Sequence, residues 1–112
     1  MSRKYALAGS DQAEADLDAG TADMSLTSTG SVDVSRRLTA MSGLRYTADA
    51  VAWGRGYQLR LIDEERARGR AGYLRSRGAS DDVIRAELSS SVRVRRTPAE
   101  IDRIIANAGR LA

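Results

Sequence analysis

Residues 92–108 are written as the beginning of a helix. The stretch opens on the arginines Arg93, Arg95 and Arg96, and Thr97 then stands in a capping position. Pro98 takes the first helical position and Glu100 completes the spacing of a capping box. Ile101, Ile104, Ile105 and Ala108 follow at i, i+3, i+4 and i+7, one apolar stripe that has to face a core. In a chain of 112 residues that core belongs to one domain, or to one small domain with a tail. The other elements that would supply it also carry helical periods.

Ser31 is placed to cap a helix over 32–42, with Val34, Leu38 and Met41 on one side and Gly43 as its stop. Thr47 starts the longest pattern, running to about 68 or as far as 77. Val51, Leu59 and Ile62 share one side of it, and Trp53, Tyr57 and Leu61 step by four along an adjacent line. Gly54 and Gly56 interrupt this pattern at a helix-interior penalty of roughly 2 kcal/mol for the pair, which marks either a break or a close helix–helix crossing. Ser80 caps a further helix over 80–89 with Asp81 and Asp82 in its first turn and Val83, Ile84 and Leu88 as its buried side. Val92 to Val94 alternates like a very short strand, and the last helix covers 98–109. The expectation is an all-α fold, a small bundle of three to four helices whose last two form a loose helix-turn-helix-like pair.

The front differs in character. Between Gly20 and Gly30 only Met24 and Leu26 are large and apolar, so burial there has little to set against ordering entropy. One short helix fits before it, capped by Ser10, with Ala13 and Leu17 on one face and Gly20 as the stop. Residues 1–30 are therefore expected to form a mobile or partner-ordered acidic arm, and 31–112 a basic helical domain. Residues 1–34 hold 2 basic against 6 acidic side chains, and the remainder 16 against 9. An acidic front on a basic body suits a body that binds polyanions, or two parts that attract each other.

Composition excludes several chemistries. The chain has neither Cys nor His, so thiol nucleophiles, imidazole bases and Cys/His zinc sites are absent. No stretch reaches the length of a membrane span. Asp63-Glu64-Glu65 and Asp81-Asp82 are explained by ion pairing and capping, so neither an enzyme nor a metal or cofactor is expected.

Arginines ahead of a capped helix bring cations to the end whose free N–H groups attract anions, an arrangement suited to phosphate. Arg103, Asn107 and Arg110 lie on the side of the last helix opposite the isoleucines, with side chains able to read guanine and adenine edges. A small DNA-binding accessory or regulatory protein of bacterial or phage type is the expected function, with Arg93, Arg95, Arg96 and Thr97 on phosphate. The wide apolar arc around Val51, Trp53, Tyr57 and Leu61 is expected to supply the core or a homo-oligomer interface. The competing expectation is a structural or assembly protein of a virion or complex, its acidic arm contacting a protein partner. The corresponding compartments are the cytoplasm or the virion.

Two short likenesses sit in the basic half. Arg68-Gly69-Arg70 resembles the core of an AT-hook, although Ala71 follows where the hook has proline and the surroundings are helical. Arg93-Val94-Arg95-Arg96 ahead of Thr97-Pro98-Ala99-Glu100-Ile101 is similar to the end of actinobacterial nucleoid silencers. Their loop carries a glycine that is missing here, and nothing upstream matches, so the likeness assigns no family.

Overall fold

The computed structural model describes residues 2–43, 47–91 and 94–110, with backbone alone at 2, 31, 40–42 and 47. The protein is all-α. Its helices are α1 (Ser2–Ala19), α2 (Ser31–Ser42), α3 (Thr47–Ser76), α4 (Asp81–Ser89) and α5 (Pro98–Ala106), with a short 3-10 helix at Met24–Ser28. No strand forms among the described residues, and Val92 and Arg93 of the expected short strand lie outside them. The chain divides into two compact units, Met1–Asp63 and Glu64–Ala112, and α3 gives its first half to one and its second half to the other. The division thus falls after residue 63, not at the composition change near residue 30.

The first unit is built around a cluster of Ala13, Leu17, Leu26, Val34, Leu38, Trp53, Tyr57 and Leu61. The acidic front therefore supplies core. Its helix begins at Ser2 and runs straight through Ser10, where the sequence places a cap. The reason is a contact made without large side chains. A Cβ built on Gly9 would lie 1.9 Å from the Trp53 carbonyl oxygen, and one on Gly56 would lie 2.0 Å from that of Ala6. The two backbones touch, which only glycine permits, and the close packing there offsets the weak helix propensity of both residues. Gly54 similarly faces Ser35 of α2, whose Oγ would stand 2.7 Å from an added Cβ. The glycines in α3 mark helix crossings, and the helix is unbroken through them.

Beyond α1, Gly20 turns the chain with a φ of 74°, and Asp23 caps the 3-10 helix by accepting from the Ser25 N–H at 3.0 Å. The buried Gln58 then donates to the carbonyls of Leu26 (3.0 Å) and Thr29 (2.5 Å), tying this polar segment to α3. Helix α2 starts one residue earlier than expected. Gly30 is its N-cap, with no side-chain bond, and Gly43 ends it in the left-handed region. Val34 and Leu38 are buried as expected, while the Met41 side chain lies outside the described ones.

In the second unit, Ala67 and Ala71 of α3 pack with Ile84 and Leu88 of α4 and Ile101, Ile104 and Ile105 of α5. Burial of each of these Ile and Leu side chains is worth roughly 1.5–3 kcal/mol. The caps stand where the sequence puts them: Ser80 Oγ accepts from the Val83 N–H at 3.3 Å and Thr97 Oγ1 from the Glu100 N–H at 3.2 Å. After α5, Gly109 turns with a φ of 78° and its N–H donates to the Arg68 carbonyl at 2.8 Å. A Cβ on Gly72 would lie 2.7 Å from the Gly109 Cα, so this crossing too is closed by glycine.

Candidate nucleic-acid interface

Most side chains expected on nucleic acid have partners within the fold. Arg103 forks onto Glu64, with Nη2 at 2.8 Å from Oε1 and Nε at 3.2 Å from Oε2. Arg68 Nε donates to the same carboxylate at 2.8 Å. The three side chains are 3% (Glu64), 7% (Arg68) and 10% (Arg103) exposed, so they form a buried triad joining α3 to α5. Arg103 is thereby turned away from any base edge. Asn107 is the C-cap of α5 and its Nδ2 donates to the Arg103 carbonyl at 2.9 Å. Arg96 Nη1 donates to the Leu88 carbonyl at 3.2 Å, bracing the end of α4. Thr97 is occupied as a cap. Arg93 lies outside the described residues. Arg95 and Arg110 are exposed.

The likeness to an AT-hook fails on geometry. Arg68 is buried in the triad and Arg70 is exposed, because residues two apart leave a helix in nearly opposite directions. The two cannot enter one groove together. The line Trp53, Tyr57, Leu61 is likewise inside the first unit, at 6%, 2% and 0% exposure, and Val51 beside it is half-buried. The Trp53 and Tyr57 rings stack at 5.5 Å, and of the two roles expected for this line, core or oligomer interface, it fills the core.

One surface in the second unit was not singled out from the sequence. On α3, Arg66, Arg70 and Tyr73 are exposed, and Arg77 follows in the turn that ends the helix, its N–H donating to the Tyr73 carbonyl at 3.1 Å. Their spacing of i, i+4, i+7 and i+11 makes one stripe, about a third of a turn round the helix from Ala67 and Ala71. Successive steps along it rise about 4.5 to 6 Å. The Arg70 guanidinium lies 5.4 Å over the Tyr73 ring and also forks onto Glu87 Oε1 at 2.8 and 3.1 Å. Arg66 and Arg77 have no carboxylate partner among the described residues. Arg75 is paired with Asp81 at 3.0 Å and Arg85 with Asp102.

No protein-family model, curated protein or solved structure matches the chain.

The first unit has its own concavity, a cleft of about 310 Å³ lined by Asp16, Thr21, Asp23, Leu26, Arg37, Leu38 and Tyr57. Its polar groups are engaged with one another. Tyr57 Oη donates to Asp16 at 2.5 Å, and burial together with that carboxylate pushes the phenol well above its ordinary value of 10.0. Asp23 accepts from the hydroxyl and N–H of Ser25, which hold its carboxyl below the usual carboxylate range, and Arg37 stands 4.0 Å away. A phenol this hard to ionise is no general base at neutral pH. Among the described residues there is no group of three or more His, Cys, Asp or Glu placed to hold a metal, and no helix long and apolar enough to cross a membrane.

Proposed function

We propose that the second unit binds nucleic acid through its phosphates, as a small accessory or regulatory protein of bacterial or phage type. The observation that carries this is the exposed stripe Arg66, Arg70, Tyr73, Arg77, in which two arginines have no carboxylate partner among the described residues. The charge supports it: 64–112 holds 11 arginines against 7 acidic residues, while 1–63 holds 7 basic against 8 acidic. Arg95 and Arg110 add exposed positive charge. Because Arg103 and Asn107 are engaged within the fold, contact with the backbone takes precedence over reading of base edges. Binding, not catalysis, is the activity on this reading. The assembly alternative loses its main support, since Trp53, Tyr57 and Leu61 are core.

The test is a titration of oligonucleotides at low and moderate salt. Affinity should fall steeply with salt as counterions are released. Changing Arg66, Arg77 and Arg95 together to Gln should flatten the logarithmic slope by up to about 2 to 3 units, at roughly 0.7–0.9 for each phosphate no longer neutralised. These side chains are exposed, so helicity should be retained. Absence of binding to any nucleic acid at low salt, from folded protein, removes this function and leaves protein assembly.

A further inference from the structure

Resting on that phosphate-holding surface, we infer that Tyr73 is a stacking platform and that the stripe prefers single-stranded nucleic acid to duplex. Tyr73 is 53% exposed and stands between arginines three residues before and four after it. An exposed aromatic ring offers a face to any base, but a duplex keeps its bases covered by their neighbours and presents only their edges. The stripe holds no carboxamide to read adenine edges. What it does hold is cations at one-turn and two-turn spacing around a ring, the combination that follows an unpaired strand.

Gly69 is the second observation. It lies one turn before Tyr73 in the interior of α3, exposed, and an added Cβ would meet nothing within 4 Å. The glycines at 9, 54, 56 and 72 are each required by a close neighbour, and those at 20, 43, 78 and 109 by a positive φ. Gly69 has neither reason, and a helix interior disfavours it relative to alanine. No side chain, the Tyr73 ring included, comes within 4 Å of a Cβ at Gly69, and the ring stands by Arg70 instead. A bare backbone there leaves open space one turn before the ring. With Arg70 against the ring at 5.4 Å, a flat base can enter from the glycine side while its flanking phosphates meet Arg66 and Arg77.

The experiment uses the full chain, an oligothymidine, the same strand carrying 2-aminopurine, and a duplex of equal length. Wild type should bind the single strand more tightly than the duplex and quench 2-aminopurine. Tyr73→Leu should weaken single-strand binding roughly five- to a hundredfold and abolish the quench, leaving the salt slope unchanged. Tyr73→Phe should retain both. Gly69→Leu should raise the melting temperature or leave it unchanged, yet weaken single-strand binding, an outcome that a purely structural glycine would not produce. Duplex binding with the expected salt slope, but indifferent to Tyr73→Leu, overturns this inference and leaves phosphate binding standing. Equal affinity for the two forms also overturns it. No binding to either form at low salt overturns both.

Discussion

Arg103 shows how far a residue's role depends on what the chain brings to it from a distance. On its own helix it stands opposite the isoleucines and reads as a surface cation. Its partner Glu64 is 39 residues away, and the spacing around Glu64 suggests only Arg68, at i,i+4. No local periodicity can announce the second guanidinium. The triad follows from packing α5 on α3, and it makes Glu64 the most sensitive to substitution of the acidic residues in this unit. Glu64→Gln keeps the shape and leaves two buried arginines without a counter-charge. Breaking a buried pair in this way is destabilising by about 3–5 kcal/mol, comparable to the whole stability of a unit this small. Circular dichroism in urea should show the second unit largely unfolded in this variant, whereas Arg66→Gln, on the exposed side of the same helix, should be near neutral. A Glu64→Gln protein as stable as wild type would show that the triad adds nothing.

At the scale of elements, most caps and stops were legible, but Ser10 and Ser31 do not cap and only the second half of helix α1 was read. Thr97, Ser80, Gly43 and Gly20 are local signals, and each acts at its place in the sequence. Helix α1 is held by Gly9, Ala13 and Leu17, and by the backbone of α3, so a search for large apolar residues undervalues it. The Gly20–Gly30 segment was missed for a related reason. It is ordered by Leu26 and by hydrogen bonds from Gln58, a polar side chain inside an apolar helical pattern. Gln58→Leu would keep the volume and leave the Leu26 and Thr29 carbonyls without that donor, a loss of about 1–3 kcal/mol for buried acceptors. Amide exchange should accelerate across residues 23–29 before it changes in α4 and α5. Rapid exchange of the same amides in the wild-type protein would instead mean that this segment is not fastened by Gln58.

At the scale of the whole molecule, residues 1–63 hold 7 basic against 8 acidic side chains and 64–112 hold 11 against 7, and the boundary lies inside a helix and not at a linker. No Gly/Ser-rich stretch marks residue 63, because α3 continues through it to Ser76. Two separate apolar clusters along one continuous helix lead to a testable expectation. Trp53, the single tryptophan, reports only on the first cluster. Ile104→Ala should remove about 2–5 kcal/mol from the second. In urea the helical signal should then shift or broaden while the midpoint of Trp53 fluorescence stays in place. Transitions that move together would show a single cooperative unit. The glycine crossings have a different consequence, for descent. At Gly9 with Gly56, and at Gly72 with Gly109, the fit leaves no side chain to trim, rotate or exchange for another of equal volume. Aliphatic positions in either core can drift through compensating changes, but these crossings have only one amino acid available to them. Relatives of this chain that keep its architecture will therefore be recognised less by the residues that fill its cores than by the positions it leaves empty.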